Sequence, residues 1–122
     1  MAPMTEHDIQ NSIRLEFSRQ IPDGLLFRAN VGQAWTGSQT KRNSDGSLTI
    51  FEPRPFNTGL PPGFADLFGV LPGGRSLFLE IKTPKGRPTD AQTNFLFQVS
   101  MTGAAAGVAR SIEDVLQIIN GG

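Results

Sequence analysis

Two short apolar runs on either side of a turn constrain the fold of this chain more than any other feature of its sequence. The first run covers residues 67–71 (LFGVL), and the second covers residues 76–82 (SLFLEIK). Residues 72–75 between them, PGGR, are strong turn formers. Runs this apolar are typical of strands that are covered on both faces of a sheet. The stretch therefore predicts an antiparallel hairpin in the interior of a sheet.

An acid stands at the outer end of each run, and the register of the hairpin decides whether the two acids meet. Side chains alternate along a strand, so Glu80 and Lys82 share one face. An odd loop over residues 72–76 pairs Asp66 with Lys82 and turns Asp66 to the face of Glu80. An even, four-residue loop turns Asp66 away unless a bulge intervenes. We expect the odd loop or a bulge.

Asp66, Glu80 and Lys82 on one patch have the composition of a divalent-metal site with a neighbouring cation. Carboxylate oxygens suit Mg²⁺ or Mn²⁺, which keep several waters and also bind substrate phosphates. A metal held there activates water and neutralises charge on a phosphorus centre. Lys82 is placed to hold that water or to stabilise the same charge. The alternative is a hairpin with ordinary polar ends and a simple Glu–Lys pair.

Length, composition and charge limit the number of domains and the kinds of partner and site that this chain can have. A chain of 122 residues fits one domain with a modest core, and its 14 Gly and 9 Pro indicate a substantial irregular segment. A net charge of zero argues against tight non-specific binding of nucleic acid but leaves room for a local basic patch. The absence of cysteine excludes disulfides, zinc–thiolate sites and thiol nucleophiles. Without a signal pattern or a membrane-length apolar run, we expect a soluble, cytoplasmic protein that has no membrane partner.

Patterns elsewhere predict the elements around the central hairpin. The strand after the second helix is small and apolar, and we expect it to lie parallel to the Glu80 strand because a helical crossover connects the two. The element order α-β-(hairpin)-β-β-α-β-α predicts an α/β fold with a small mixed β-sheet flanked by helices. The predicted elements are a helix over about 5–20 capped by Thr5, a strand over 25–31, a helix from the capping box at 89–92 to about 101–102, a strand over 104–110, and a helix after Ser111.

Residues 32–63 are rich in Gly, Ser, Thr, Asn and Pro, and they form the least regular part of the pattern. The tetrad at 43–46, NSDG, predicts a hairpin tip with arms over about 34–42 and 47–54. The arms mix aromatic side chains with Lys41, Arg42 and Arg54. Such a mixture suits a flap over DNA, where rings and cations meet bases and phosphates. The alternative is a surface hairpin that packs on itself.

An ordered set of motifs resembles one family of nucleases. The pattern from Glu6 to about Ile119 is similar to the virus-type replication-repair nuclease (VRR-NUC) domain of the PD-(D/E)xK superfamily. One position departs from the family pattern, because Ala65 stands where a proline usually precedes the aspartate, but that proline supplies no ligand. The motifs that carry the resemblance are Glu6, Arg28-Ala29-Asn30, Gly63-x-x-Asp66, Glu80-Ile81-Lys82 and Gln92.

The resemblance implies a restriction-endonuclease-like core over residues 1–122, with residues 32–63 as an insertion. It implies a metal-dependent nuclease that hydrolyses phosphodiester bonds of DNA, selective for junctions or flaps, as in stand-alone phage or bacterial enzymes. DNA and a second copy in a homodimer are then the expected partners. The implied metal ligands for Mg²⁺ or Mn²⁺ are Asp66, Glu80 and the Ile81 carbonyl, with Glu6 joining directly or through water. The implied catalytic assistants are Lys82 and Gln92.

Each supporting residue has an ordinary alternative. Glu6 also suits the helix dipole. The resemblance implies that Arg28 and Asn30 approach the cleft and bind nucleic acid, but they also suit a plain edge-strand face. Lys85 and Arg87 are placed to hold flanking phosphates, or they form a solvated basic loop. Gln92 completes the capping box, and we expect that one side chain cannot fully serve both the cap and the site. At the level of function, the alternatives are an inactive nucleic-acid-binding module on the same fold, a structural or assembly protein, and a nuclease subunit that needs a partner.

Overall fold

The computed structural model describes residues 3–30 and 33–121. They form two compact units, one made of Met1–Ala29 and Pro62–Gly122 and the other of Asn30–Pro61. In chain order the elements are α1 (Glu6–Gln20), β1 (Leu25–Arg28), β2 (Gln33–Thr36), β3 (Gln39–Arg42), β4 (Leu48–Phe51), β5 (Arg54–Asn57), β6 (Leu67–Val70), β7 (Ser76–Ile81), α2 (Asp90–Ser100), β8 (Ala105–Ala109) and α3 (Ile112–Gly121).

The first unit is a mixed four-stranded sheet flanked by helices, as the sequence predicts. Its strand order is β1-β6-β7-β8, with antiparallel pairing up to β7 and parallel pairing between β7 and β8. Helix α2 connects the two parallel strands, so the predicted crossover is confirmed. β1 and β8 are shorter than predicted, and Val31, the predicted end of the first strand, lies outside the described residues.

Helix α1 forms where its cap and its apolar stripe agree. The Thr5 hydroxyl accepts from the Asp8 N–H at 3.1 Å, and the Asp8 carboxylate accepts from the Thr5 N–H at 3.1 Å, which completes a capping box. Ile9, Ile13 and Phe17 are all buried, as the four-residue spacing predicts. This stripe packs with α3 against one face of the sheet, where the core also contains Leu67, Leu77, Leu79, Ile81 and Val115.

On the opposite face of the sheet, a cluster of phenylalanines packs against α2. Phe95 of α2 lies 4.8 Å from Phe64 and 5.7 Å from Phe78, measured between ring centroids. Phe64 also lies 6.0 Å from Phe68. Tilted and edge-on aromatic pairs at these distances are favourable. Because Phe78 and Glu80 point to the same side of β7, this cluster borders the acidic end of the strand.

The turn between β6 and β7 is shorter than predicted, which shifts the register. Leu67 pairs with Leu79, and the Leu71 N–H donates to the Arg75 carbonyl at 2.8 Å. The predicted pairing of Asp66 with Lys82 is therefore wrong, because this register continued by one residue places Asp66 opposite Glu80. The chain reverses within residues 72–74 because two successive glycines there adopt φ of 94° and 93°. An odd loop is nevertheless present, so Asp66 faces the same side as Glu80.

The second unit contains a long two-stranded hairpin over residues 33–57, here called the ribbon. β3 pairs with β4, and β2 pairs with β5, both in antiparallel fashion. The Asn43 N–H donates to the Ser47 carbonyl at 2.9 Å across a three-residue tip that ends in Gly46 at φ 90°. The predicted tip is confirmed, and the arms extend further than predicted, to Asn57.

Within the described ranges, no helix combines the length and the apolar character needed to span a membrane.

Candidate functional site

Asp66 stands just before β6 and is held by hydrogen bonds on both sides. The Ile81 N–H donates to Asp66 Oδ2 at 2.8 Å, and the Ala29 N–H donates to the Asp66 carbonyl at 2.9 Å. The first bond ties the carboxylate to the end of β7, and the second ties its backbone to the chain after β1. Asp66 is therefore oriented toward Glu80 by its neighbours as well as by the hairpin register.

The segment that precedes Asp66, residues 63–65, lies in close contact with the first turn of α2. Gly63 has φ of 83°, and a Cβ placed on it would lie 2.4 Å from the Ala91 carbonyl oxygen. Only glycine fits such a position without displacing the helix backbone. Ala65 is fully buried, so the position where the resembled family usually has proline is part of the core. The position of Asp66 therefore depends on the position of α2, the helix that carries Gln92.

Glu80 is the buried centre of the site. Its residue exposure is 1%, and its Oε1 accepts from Gln92 Nε2 at 2.9 Å. Lys82 Nζ lies 3.9 Å from the same oxygen, and the Lys82 side chain is itself only 12% exposed. The second oxygen, Oε2, is buried without a hydrogen-bond partner. Buried polar atoms are normally paired, so this oxygen marks a place where a proton or a cation belongs.

The pKa of Glu80 is raised to about 8, mainly by burial and in the same direction by the neighbouring Asp66 carboxyl. Lys82 opposes this change by lowering the pKa, while the charge of Glu6 adds to it. Near neutral pH Glu80 therefore retains a proton, which relieves the crowding of negative charge beside Asp66.

Gln92 serves the helix cap and the site at the same time, so the expectation that one side chain cannot serve both is wrong. Its Oε1 accepts from the Thr89 N–H at 2.8 Å, and its main-chain N–H donates to the Thr89 hydroxyl at 3.2 Å. Its Nε2 donates to Glu80 at 2.9 Å. An amide carries its acceptor and its donors on different atoms, which allows this division.

Glu6 lies at the first position of α1, is exposed, and is near enough for its charge to raise the pKa of Glu80. Among the residues described, no group of three or more His, Cys, Asp or Glu side chains is arranged to hold a metal ion. The acidic donor set is therefore the pair Asp66 and Glu80. Mg²⁺ commonly takes one or two carboxylates and completes its shell with waters and phosphates. A role for Glu6, direct or through water, stays a prediction.

The predicted nucleic-acid-binding residues fall into two groups. Arg28 ends β1 beside the start of β6, while Lys85 and Arg87 are exposed on the loop that follows Lys82. These three belong to the same unit as Glu80. The remaining three belong to the second unit and are exposed there: Asn30, Lys41 and Arg42.

Arg110 anchors the basic loop, and sequence reasoning missed it. Its Nε donates to the Thr83 carbonyl at 3.1 Å, and its Nη2 donates to the Gly86 carbonyl at 2.9 Å. Asp114 in turn accepts from the Arg110 main-chain N–H at 2.8 Å. The available signal was the parallel pairing of β8 with β7, which brings the residue after β8 beside the residues after β7.

Two carboxyl groups, one ammonium group and one amide thus converge where β6 begins and β7 ends. In comparisons with known proteins, no family model matches the chain and no curated protein is similar to it. Any functional conclusion therefore depends on the chain's own residues. Their chemistry suits the binding of a divalent cation and of an anionic oxygen next to it.

Proposed function

We propose that this chain is a metal-dependent nuclease that hydrolyses phosphodiester bonds of DNA and has a PD-(D/E)xK core. The observation that carries the proposal is the buried Glu80, which has one unpartnered oxygen, with half-buried Asp66 and Lys82 beside it. Structural acids are usually exposed or fully paired, whereas Glu80 is neither. The order of motifs that resembles VRR-NUC nucleases supports the same conclusion.

The donor set fits Mg²⁺ or Mn²⁺. Asp66 and Glu80 would hold the ion together with the Ile81 carbonyl, and Glu6 would contribute directly or through water. The fit follows from the hard oxygen donors, the two carboxyl groups and the unpartnered Oε2 of Glu80. When bound, the ion supplies Lewis-acid activation of water and neutralisation of charge at phosphorus.

The chain's own residues orient the reacting groups. Gln92 holds Oε1 of Glu80, so the free oxygen of that carboxyl is the one available to a ligand. The ammonium group of Lys82 carries three N–H donors, and its contact with Glu80, at 3.9 Å, does not use all of them. Its remaining hydrogens are available to hold the attacking water or an anionic phosphate oxygen. Arg28, Lys85 and Arg87 are exposed cations of the same unit that would contact flanking phosphates.

The resemblance extends the proposal to structured DNA, such as junctions or flaps, in replication, recombination or repair. A homodimer would place two such sites on one branched substrate. An inactive binding module and a nuclease subunit that depends on a partner remain the competing functions. These alternatives differ from the proposal in whether the isolated chain cuts DNA.

The test is a panel of labelled single strands, flaps, duplexes and four-way junctions, incubated with Mg²⁺ or Mn²⁺. We expect cleavage of at least one substrate, and we expect Lys82→Ala to reduce the rate by about hundredfold or more. Arg14→Ala, which removes an exposed cation from α1, is the matched control and should cut normally. Equal cutting by the wild type and Lys82→Ala would reject the site.

Calorimetric titration with Mn²⁺ tests the ligand pair independently of cleavage. We expect binding by the wild type and a loss of binding in Asp66→Ala. Binding that is absent, or that Asp66→Ala leaves unchanged, would favour a structural or assembly protein. Cleavage absent from the whole panel, with Mn²⁺ binding intact, would favour the inactive binding module or the partner-dependent subunit.

A further inference from the structure

The ribbon exposes more large apolar surface than a free-standing hairpin normally tolerates. Trp35 is 63% exposed, Phe56 is 52% exposed and Phe51 is 45% exposed. A two-stranded hairpin is at best marginally stable in water, so exposed rings on it add no folding stability. Phe56 pairs with Ala34, so Phe56 and Trp35 lie on opposite faces of the β2–β5 pair, and each face offers an exposed ring for interaction.

Cations accompany two of these rings, Phe51 and Phe56. The register pairs Gln39 with Phe51, so Lys41 lies on the Phe51 face, two residues further along. Arg54 and Phe56 are two residues apart on β5 and share one face of that strand. Lys41, like the other two cations of the ribbon, Arg42 and Arg54, is exposed.

The acids of the ribbon are engaged within the hairpin. Asp45 Oδ1 accepts from the Ser47 N–H at 2.9 Å and from the Ser47 hydroxyl at 2.6 Å. Glu52 Oε1 accepts from the Ser38 hydroxyl at 3.3 Å. The ribbon thus carries three exposed cations against two acids, and these acids, although also exposed, are hydrogen-bonded to the hairpin's own donors. The exposed surface of the ribbon therefore offers aromatic rings and positive charge. This combination complements a ligand that carries both negative charge and aromatic rings.

We propose that the ribbon binds single-stranded DNA by stacking unpaired bases on its exposed rings while its cations contact the flanking phosphates. Duplex DNA fits less well, because its bases already stack on one another and offer no free face to Trp35. A protein partner fits less well, because exposed cations share the faces of Phe51 and Phe56. The choice of DNA over RNA rests on the proposed nuclease function, whereas the choice of a single strand rests on the ribbon alone.

Trp35 is the only tryptophan in the chain, so its fluorescence reports on the ribbon directly. We would titrate the wild-type protein with a short oligothymidylate in EDTA, which prevents cleavage. Stacking of a base on the indole is expected to quench the emission to a saturable limit. Heparin, a polyanion without bases, and a blunt duplex should each quench much less. Unchanged emission with oligothymidylate, or equal quenching by heparin or by the duplex, would overturn the proposal.

Substitutions separate stacking from charge. Trp35→Ala should weaken binding of a dye-labelled oligothymidylate by about tenfold, measured by anisotropy, while Trp35→Phe should retain most of the affinity. Lys41→Gln combined with Arg42→Gln should weaken binding and lower the slope of log affinity against log salt by about 1.4. The matched control is Arg14→Gln with Arg19→Gln on α1, and it should bind normally. Affinity unchanged in both ribbon variants would reject the ribbon as the binding surface.

The outcomes of this experiment and of the cleavage test are distinguishable. Quenching by oligothymidylate without cleavage of any substrate would reject the nuclease and retain the ribbon as a binding surface. Cleavage without quenching would reject the ribbon and retain the nuclease. Tighter binding of oligouridylate than of oligothymidylate would overturn the assignment to DNA.

Discussion

Replacing Glu80 with glutamine should change how the stability of the metal-free protein depends on pH. Glu80 is buried, and its pKa is raised from 4.5 to about 8. Between those values the folded protein keeps a proton that the unfolded chain has released. The free energy of unfolding therefore falls as pH rises through this window. Glutamine does not ionise, so the variant should lack this fall.

The expected magnitude follows from the pKa and from the partners of the side chain. Each pKa unit corresponds to about 1.4 kcal/mol, so the full rise corresponds to roughly 5 kcal/mol between acidic and alkaline solution. Glutamine preserves an oxygen that accepts from Gln92 and adds an amide that can donate to Asp66. Glu80→Gln should therefore be close to the wild type at pH 5 and clearly more stable at pH 9.

The assay is urea unfolding in EDTA at intervals between pH 5 and pH 9. Glu113→Gln, which alters an exposed acid of α3, is the matched control and should follow the wild type. A constant stability difference between Glu80→Gln and the wild type across this range would refute the reasoning. With saturating Mn²⁺ the order should reverse, because binding stabilises only a protein that retains the ligand.

Three further substitutions probe how the site is supported. Gln92→Ala should lower stability by about 1–2 kcal/mol in urea unfolding, because it removes half of the α2 cap and a buried hydrogen bond, and it should also slow cleavage; unchanged stability would contradict this. Arg110→Met should speed hydrogen exchange at the amides of residues 83, 85 and 86, because both contacts to loop carbonyls are lost. Exchange equal to that of the wild type would show that the loop keeps its conformation without Arg110. Gly63→Ala should cost about 2 kcal/mol more than Gly73→Ala, since both have positive φ but only Gly63 faces the Ala91 carbonyl; equal costs would mean that the close approach is unimportant.

Sequence patterns predicted the elements because the signals are local. The Thr5 and Thr89 capping boxes, the Ile9 stripe and the turn formers each act within a few residues. The hairpin that joins Asp66 to Glu80 was predictable for the same reason. Its register was not, because glycines at 73 and 74 permit either a three-residue or a five-residue turn, and both keep every side chain on the same face.

The supporting contacts of the site were harder to predict because they join segments far apart in the chain. Arg110 reaches the loop after β7 from the far end of β8, and nothing in its own neighbourhood in sequence indicates that role. The double use of Gln92 depends on the distance between α2 and β7, which no local pattern specifies. Metal binding, DNA cleavage and the family resemblance stay predictions.

The three-residue turn between β6 and β7 has a consequence for natural variation. Adding or deleting one residue there would exchange the two faces of β6. Asp66 would then point into the leucine core, and Leu67 would point to the face that carries Glu80. Changes of two residues would instead slide Asp66 along the same face. Homologues that keep both acids should therefore differ in the length of this turn by even numbers only.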